Sequence, residues 1–347
     1  MNQNAVVRNE LDQLLREGVL DAATHAQLTE RYPVGNWDWR TLGRWFLFFG
    51  AISVVAGVVI LLRDVFSLTL QNLAALLVLI SAVLFVGGWR LRKRSWSWSA
   101  RTSELMGGFA LIGLSFVLGK LYSTGSGNWP ALLLIDWILL LVLSYALNNV
   151  LLLVLGAVVF FTWFGGETGY SSSWGAYWFG MNYPLRFFGI SLVITLMGLV
   201  HLRAERGPLA RFHGFSKVWI SFGLFLANMA LWLLSIFGNF GEIDHPDMRG
   251  GAGEIALFNA LWFAFNLALV GVGLRFSYRM VKAYGITFFI IQIYTLFFTQ
   301  LSEHLGWLAS LLIAGGSALG LAFWLEVVRR KQHEAEQNLI KNQSDTP

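Results

Sequence analysis

Ten long apolar segments constrain the fold of this chain more than any other feature. A helix of about 20 mainly apolar residues crosses the roughly 30 Å hydrocarbon core of a bilayer. The segments are continuous and rich in leucine, whereas the strands of a membrane barrel are short and alternate apolar with polar residues. The sequence therefore predicts an all-α fold, a polytopic transmembrane helix bundle of about ten spans. The predicted spans are 45–62, 70–89, 105–119, 130–147, 150–164, 187–202, 218–237, 255–274, 284–301 and 305–328.

The composition agrees with a membrane-embedded chain. Charged residues make up 13% of the 347 residues and apolar residues 56%, against about 25% and about 45–50% in an ordinary soluble domain. These fractions exclude a disordered chain, a coiled coil and almost any water-soluble globule. The chain has no cysteine, which excludes disulfides, thiolate nucleophiles and metal sites built from cysteine.

The distribution of lysine and arginine predicts the orientation, because these residues accumulate on the cytoplasmic side of a membrane. With the N-terminus inside, the inner segments hold 21 of the 25 cations and the outer segments hold 4. Both termini are therefore expected in the cytoplasm. Because the loops are short and the first 40 residues are polar, we expect a multi-pass protein of the bacterial inner (plasma) membrane without a cleavable signal peptide.

One turn leaves an alternative open. The turn at Asn148 and Asn149, between the fourth and fifth spans, carries no cation although it is expected inside. The fifth span, 150–164, has 15 residues and gives only about 22 Å of helix. The alternative to ten spans is therefore eight full crossings with a re-entrant pair.

The polar N-terminal segment predicts a small helical hairpin on the cytoplasmic side. Gly18 fits the end of a first helix, and Asp21 fits the N-cap of a second helix over about residues 22–31. The hairpin is either a lead-in to the first span or a docking element for a protein partner. Its charges nearly balance, so nucleic acid is not an expected partner. The predicted division is hairpin 1–43, transmembrane domain 44–328 and basic cytoplasmic tail 329–347.

Two sequence patterns carry a resemblance to a known family. A lead-in of the form Leu-x-x-Leu-x-x-x-Gly-apolar-apolar-Asp precedes WFLFFGAISVVAGVVILL, and GGFALIGLSFVLGKLYSTGSGNWPALLLIDWILLLVLSYAL follows later. Over roughly residues 8–150 the chain resembles the domain of unknown function 2157 family of bacterial membrane proteins. Gly119, Lys120 and Tyr122 occupy that family's Gly-Gln-x-Tyr-like turn, with Lys120 in place of the usual glutamine. The Asn-Trp often found after the first span is replaced by RDVFSLT. The resemblance implies a membrane topology and no reaction.

Asp136 is the one ionisable residue well inside a predicted span, six residues beyond Pro130 and about 9 Å from the outer surface. A charge in hydrocarbon is costly and usually faces a cavity or a partner. Lys120 ends the preceding span on the same side, so we predict that Lys120 and Asp136 pair across the outer helix ends. Asp136 is then either a lock between two helices or a carboxylate that couples protons or cations to transport.

Four amide side chains form a second candidate site, a polar layer in the C-terminal half. They lie within predicted spans seven to nine: Asn228, Asn259, Asn266 and Gln292. Asn259 and Asn266 are seven residues apart and hence on the same helical face. The four amides either hydrogen-bond between helices or line a substrate path.

Two outer loops carry weaker signals. The loop GGETGYSSSWGAYWFGMNYP is rich in aromatic residues, which form an interfacial belt or stack on a sugar or lipid headgroup. The loop GNFGEIDHPDMRGGAGE contains Glu242, Asp244, His245 and Asp247. Its carboxylates either bind a divalent cation, although the loop lacks the ligand order of an EF-hand, or form a solvated acidic loop.

The sequence favours a function without catalysis. The enzyme motifs HExxH, GxSxG and GxxxxGK[ST] are absent, so no catalytic residue, metal site or cofactor is predicted. The interpretation is a non-enzymatic component of the lipid bilayer, either transporter-like or a sensor or scaffold. The alternative is a membrane-embedded enzyme acting on lipid or polyprenyl-linked substrates from the outer side, through Asp64 and Asp136. A water-filled vestibule that reaches Asp136 favours transport or catalysis, whereas close packing favours a scaffold.

Overall fold

The part of the chain that the structure describes is helical. The computed structural model describes residues 3–17, 19–31, 69–122, 129–173, 177–240 and 250–301, with scattered positions between 49 and 60 and between 306 and 327. These residues form α-helices, short turns, one 3₁₀ turn and a π-helical segment, Phe297–Leu301, and none of them lies in a β-strand. The chain divides into two compact units, residues 47–300 and residues 1–46 with 301–347.

The α-helices of the described residues follow one another with short connections. In chain order they are α1 (Gln3–Arg16), α2 (Ala22–Arg31), α3 (Leu70–Lys93), α4 (Ser97–Tyr122), α5 (Pro130–Ala146), α6 (Val150–Ser171), α7 (Tyr183–Ala204), α8 (Phe215–Phe237), α9 (Ala252–Arg275) and α10 (Arg279–Leu296). Helices α3 to α10 belong to the larger unit and α1 and α2 to the smaller one.

Seven of the described helices are long and apolar enough to cross a membrane: α3, α4, α6, α7, α8, α9 and α10 with its π-helical end. Helix α5 is also apolar but shorter, with 17 residues, or about 26 Å of helix. The predicted all-α fold is confirmed, and the seven helices are those expected of a multi-pass membrane protein. The predicted span 45–62 falls largely outside the described residues. Of the predicted span 305–328 the structure describes scattered positions, among which 308–313 and 315–317 are helical.

Several helices extend beyond the apolar segments that predicted them. Helix α4 begins at Ser97, eight residues before the predicted span. Helix α6 has 22 residues, or about 33 Å, instead of the 15 predicted from hydropathy. Hydropathy marks the middle of a span, whereas backbone hydrogen bonds and caps determine the ends. Asn149 and Asn182 provide such caps, since their side chains accept the first free N–H groups of α6 and α7.

Neighbouring helices pack in pairs, α3 on α4, α5 on α6, α7 on α8 and α9 on α10, and α8 also packs on α9. Glycine residues permit the closest approach between the paired helices. A Cβ added at Gly223 of α8 would lie 2.8 Å from the Ser191 carbonyl oxygen and 2.9 Å from the Thr195 amide nitrogen of α7. A Cβ at Gly273 of α9 would meet the Lys282 backbone of α10 at 2.6 Å. Small residues therefore fix the spacing of these helix pairs.

The smaller unit contains α1 and α2. Asp21 Oδ2 accepts the Thr24 backbone N–H at 3.2 Å, so Asp21 caps α2 as predicted. His25 Nε2 of α2 lies 2.7 Å from Asp12 Oδ1 of α1. The role of these helices as a separate cytoplasmic module stays a prediction, and the predicted tail 329–347 lies outside the described residues.

Candidate functional site

Asp136 in α5 is buried against α4 and bonded to a serine. The Ser115 hydroxyl of α4 donates to Asp136 Oδ1 over 2.6 Å, and Asp136 is 1% exposed. The second carboxylate oxygen, Oδ2, is also buried and has no hydrogen-bond partner among the described residues. The Ser115 bond therefore links two neighbouring helices, and among the described residues it is the one hydrogen bond of this carboxylate.

Lys120 does not pair with Asp136. Its side chain is exposed, and none of the ion pairs within the described ranges joins it to the carboxylate. Lys120 lies five residues beyond Ser115 on α4, which displaces it by about 7.5 Å along the helix and rotates it by about 140°. The rotation turns Lys120 away from the face that meets α5. Ser115, which the sequence analysis missed, contacts the carboxylate instead.

Three of the four predicted amides bond between helices α8, α9 and α10. Asn228 Oδ1 of α8 accepts the indole N–H of Trp262 in α9 at 3.1 Å. Asn259 Nδ2 of α9 donates to the Ser235 carbonyl oxygen of α8 at 2.9 Å. Gln292 Nε2 of α10 donates to the Asn259 carbonyl oxygen at 2.8 Å. These bonds connect all three helices through neutral groups.

Asn266 is the exception in the amide layer. It is fully buried in α9, and neither its side-chain nitrogen nor its side-chain oxygen has a hydrogen-bond partner in the described part of the chain. Asn259 Oδ1 and Gln292 Oε1 are buried as well and have no partner within the described ranges. Three of the four predicted amides therefore take part in bonds between these helices, whereas Asn266 does not in the described part of the chain.

A buried ion pair that the sequence analysis missed lies at the turn between α3 and α4. Arg92 Nη2 donates to both carboxylate oxygens of Glu104, at 2.8 and 2.7 Å. Asn149 Nδ2 donates to Glu104 Oε2 at 2.8 Å. The Glu104 side chain is fully buried, whereas 35% of the Arg92 side chain is exposed. Gly88 leaves space for the Glu104 side chain, because a Cβ at position 88 would lie 2.7 Å from Glu104 Cγ.

This cluster also holds the turn between α5 and α6. Asn149 Nδ2 donates to the Arg101 carbonyl oxygen at 3.0 Å as well as to Glu104. The neighbouring Asn148 Nδ2 donates to the Arg211 carbonyl oxygen at 3.0 Å. The turn that lacks a cation therefore lies beside two segments that are rich in arginine.

Glu205 forms a third polar cluster, between the end of α7 and the start of α8. Its carboxylate accepts the backbone N–H groups of Ser216 at 2.7 Å and Gly214 at 3.1 Å. His201 Nδ1 lies 3.1 Å from Oε1, and His213 Nδ1 lies 3.7 Å from Oε2. A carboxylate at the N-terminus of α8 satisfies free N–H groups and interacts favourably with the helix dipole.

The pKa of Glu205 reflects these contacts. Burial alone raises the pKa of the carboxyl, because it disfavours the charged form. The N–H groups of Ser216 and Gly214, together with the nearby His201, outweigh burial and bring the pKa below its ordinary value. The Glu205 carboxylate therefore stays ionised at neutral pH and caps α8.

At the other end of these two helices, asparagine residues join the start of α7 to the end of α8. Asn239 Oδ1 accepts the Asn182 backbone N–H at 2.9 Å, and Asn182 Nδ2 donates to the Gly238 carbonyl oxygen at 3.0 Å. Glu254 Oε1 accepts the Asn239 N–H at 2.8 Å. These bonds fix the end of the predicted aromatic loop, whereas the predicted acidic cluster at 242–247 lies outside the described residues.

Hydropathy and local motifs do not indicate Glu104, Ser115 or Asn149 as site residues. Glu104 lies one position before predicted span three, so hydropathy placed it in a loop although α4 already includes it. Ser115 and Asn149 are small polar residues whose partners are distant in sequence. A lone acid in an arginine-rich turn was the signal for Glu104. No local pattern signals the Ser115 contact, because the rotation of α4 against α5 decides it.

Comparison with known proteins identifies no relative: no family model, no curated protein and no solved structure matches the chain. The resemblance to the domain of unknown function 2157 family therefore stays a prediction. Within the described ranges, no three His, Cys, Asp or Glu side chains are grouped to hold a metal ion.

Proposed function

We propose that the chain is a multi-pass inner-membrane protein that serves as a sensor or scaffold component. The observation that carries this proposal is that Asp136, Asn228, Asn259 and Gln292 each take part in a hydrogen bond to a neighbouring helix. Such bonds hold one arrangement of a bundle. A path for ions or substrate needs polar groups in contact with water, and Asp136 is 1% exposed. The transporter-like form of the proposal requires a second conformation in which this carboxylate reaches water.

A flux measurement tests this choice. The purified full chain is reconstituted in liposomes, and proton and potassium fluxes are compared with those of protein-free liposomes. We expect no added flux for the unsubstituted protein, for Asp136→Asn or for the matched helix-contact variant Ser115→Ala. A flux that the unsubstituted protein carries and Asp136→Asn abolishes would contradict the scaffold proposal in favour of a transporter.

The proposed topology has both termini in the cytoplasm and α5 and α6 crossing completely. Its support is the position of Asn148 and Asn149, which bond to carbonyl groups of Arg211 and Arg101. Arginine-rich turns lie on the cytoplasmic side, whereas the tip of a re-entrant pair lies inside the bilayer. The resemblance to the domain of unknown function 2157 family and the bacterial inner-membrane location belong to the same proposal.

Because the chain has no cysteine, single cysteines report the topology directly. Asn148→Cys is expected to react with a membrane-impermeant thiol reagent only from the cytoplasmic side. Lys120→Cys, at the other end of α4, is expected to react only from the outer side. Labelling of Asn148→Cys from the outer side, or from neither side in a folded protein, contradicts two full crossings.

The enzyme alternative has less support. It needs Asp64 and Asp136 to reach a lipid or polyprenyl-linked substrate from the outer side, but Asp136 is buried and Asp64 lies outside the described residues. Docking of a protein partner remains the proposed role of α1 and α2.

A further inference from the structure

One face of α3 is apolar along its middle and basic at its end. Leu79, Val83 and Val86 are 60%, 60% and 49% exposed. Arg90, Lys93 and Arg94 follow on the same face, because positions spaced by three or four residues are neighbours on a helix surface. All three cationic side chains are exposed. An apolar track therefore leads directly to three positive charges.

The basic end of this face contains an open depression of about 500 Å³, lined by Gly87, Arg90, Leu91, Lys93 and Arg94. Gly87 has no side chain to fill it, and three of the five lining residues are cationic. A volume of this size lies within the range of sites that hold small ligands, about 300–1,000 Å³. The depression thus offers both space and positive charge at one place.

The cation next to these lining residues, Arg92, does not line the depression. Its side chain is bonded to Glu104 instead. The Lys93 ammonium lies 3.7 Å from the centre of the Trp89 ring, which holds the cation near the depression. Trp89 and Trp96 are 49% and 63% exposed. Exposed tryptophan is typical of the headgroup level of a membrane.

We propose that this end of α3 binds the phosphate headgroup of an anionic phospholipid, with an acyl chain along Leu79, Val83 and Val86. Arginine and lysine supply the charge and the N–H donors that a phosphate ester requires. The apolar track selects a lipid over free phosphate, because free phosphate has no group to place on it. Basic clusters next to a transmembrane helix attract anionic lipids through the same attraction between opposite charges.

Binding of phosphatidylglycerol to the full chain in phosphatidylcholine nanodiscs tests the site. The unsubstituted protein is expected to bind phosphatidylglycerol in a saturable manner that raises its Tm, and Arg90→Gln/Arg94→Gln to weaken binding at least about tenfold. The matched control Arg275→Gln/Arg279→Gln removes two exposed arginines of the same spacing at the turn between α9 and α10. It is expected to bind as the unsubstituted protein does.

Three outcomes overturn the proposal. Equal weakening by both double variants would show general attraction to a charged surface. Unchanged binding by Arg90→Gln/Arg94→Gln, with its folding verified by circular dichroism, would place the lipid elsewhere. A rise in Tm with inorganic phosphate in phosphatidylcholine nanodiscs, equal to the rise with phosphatidylglycerol, would assign the site to free phosphate. Each outcome is independent of whether Asp136 carries an ion flux.

Discussion

The buried polar contacts of α3 to α6 centre on two carboxylates, whereas the amide layer of α8 to α10 is built from neutral groups. Glu104 is held by Arg92 and Asn149, and Asp136 by Ser115. A buried carboxylate needs partners because its charge is costly away from water. An unpaired neutral amide costs less than an unpaired charge, and Asn266 is fully buried with no side-chain hydrogen bond in the described part of the chain. The two regions are therefore expected to respond differently when one partner is removed.

The largest effect is expected at the ionic contact. Arg92→Gln leaves the Glu104 carboxylate buried with only Asn149 as a partner, so we expect the free energy of unfolding in detergent to fall by about 2–3 kcal/mol. The exposed neighbour Arg90→Gln is the matched control and should change it by less than about 0.5 kcal/mol. Equal losses for the two variants would show that the pair contributes no more than a surface charge.

The second effect tests the close approach of α7 and α8. Gly223→Ala places a methyl group within 3 Å of two backbone atoms of α7, and overpacking of this kind costs about 1–3 kcal/mol. Gly189→Ala is the control, because nothing lies within 4 Å of the added Cβ. A Tm that falls for Gly223→Ala and stays level or rises for Gly189→Ala is the expected result. A level Tm for both variants contradicts the tight contact.

The third effect concerns pH. Because the pKa of Glu205 is lower in the folded chain, its ionised form stabilises the fold above the unfolded pKa of about 4.3. This stabilisation is lost as the pH falls through the folded pKa. Glu205→Gln should lower stability at pH 7 by about 1 kcal/mol and flatten the loss of Tm below about pH 4.3. An acid profile identical to that of the unsubstituted protein would exclude this carboxylate as a source of the loss.

The smallest effect is expected among the amides. Trp262→Phe removes the donor to Asn228, and hydrogen bonds between membrane helices contribute about 0.6 kcal/mol on average. Trp163→Phe is the control for lost ring volume, since the Trp163 indole nitrogen has no partner in the described part of the chain. The unfolding free energies should differ by about that amount. A difference above about 2 kcal/mol would make the amide layer as strong as the ionic contact.

The sequence supported the helices well and the contacts between them poorly. Apolar runs located α3 to α10, because every lipid-exposed backbone group must be satisfied within its helix. They missed the polar starts of α4 and α7, since a helix continues past the hydrocarbon where its hydrogen bonds continue. Asp136 and three of the four amides take part in hydrogen bonds between helices, which is one of the two roles that the sequence left open for them. The partner of Asp136 was predicted wrongly, because it depends on how α4 is rotated against α5.

Water access to position 136 distinguishes a helix contact from a path for ions or substrate. In the naturally cysteine-free chain, Asp136→Cys and the exposed control Lys120→Cys are treated with a membrane-impermeant thiol reagent in intact membranes. We expect rapid labelling of Lys120→Cys and none of Asp136→Cys unless the protein is first denatured. Labelling of the two variants at similar rates would place position 136 on a water-filled path and would overturn the scaffold proposal.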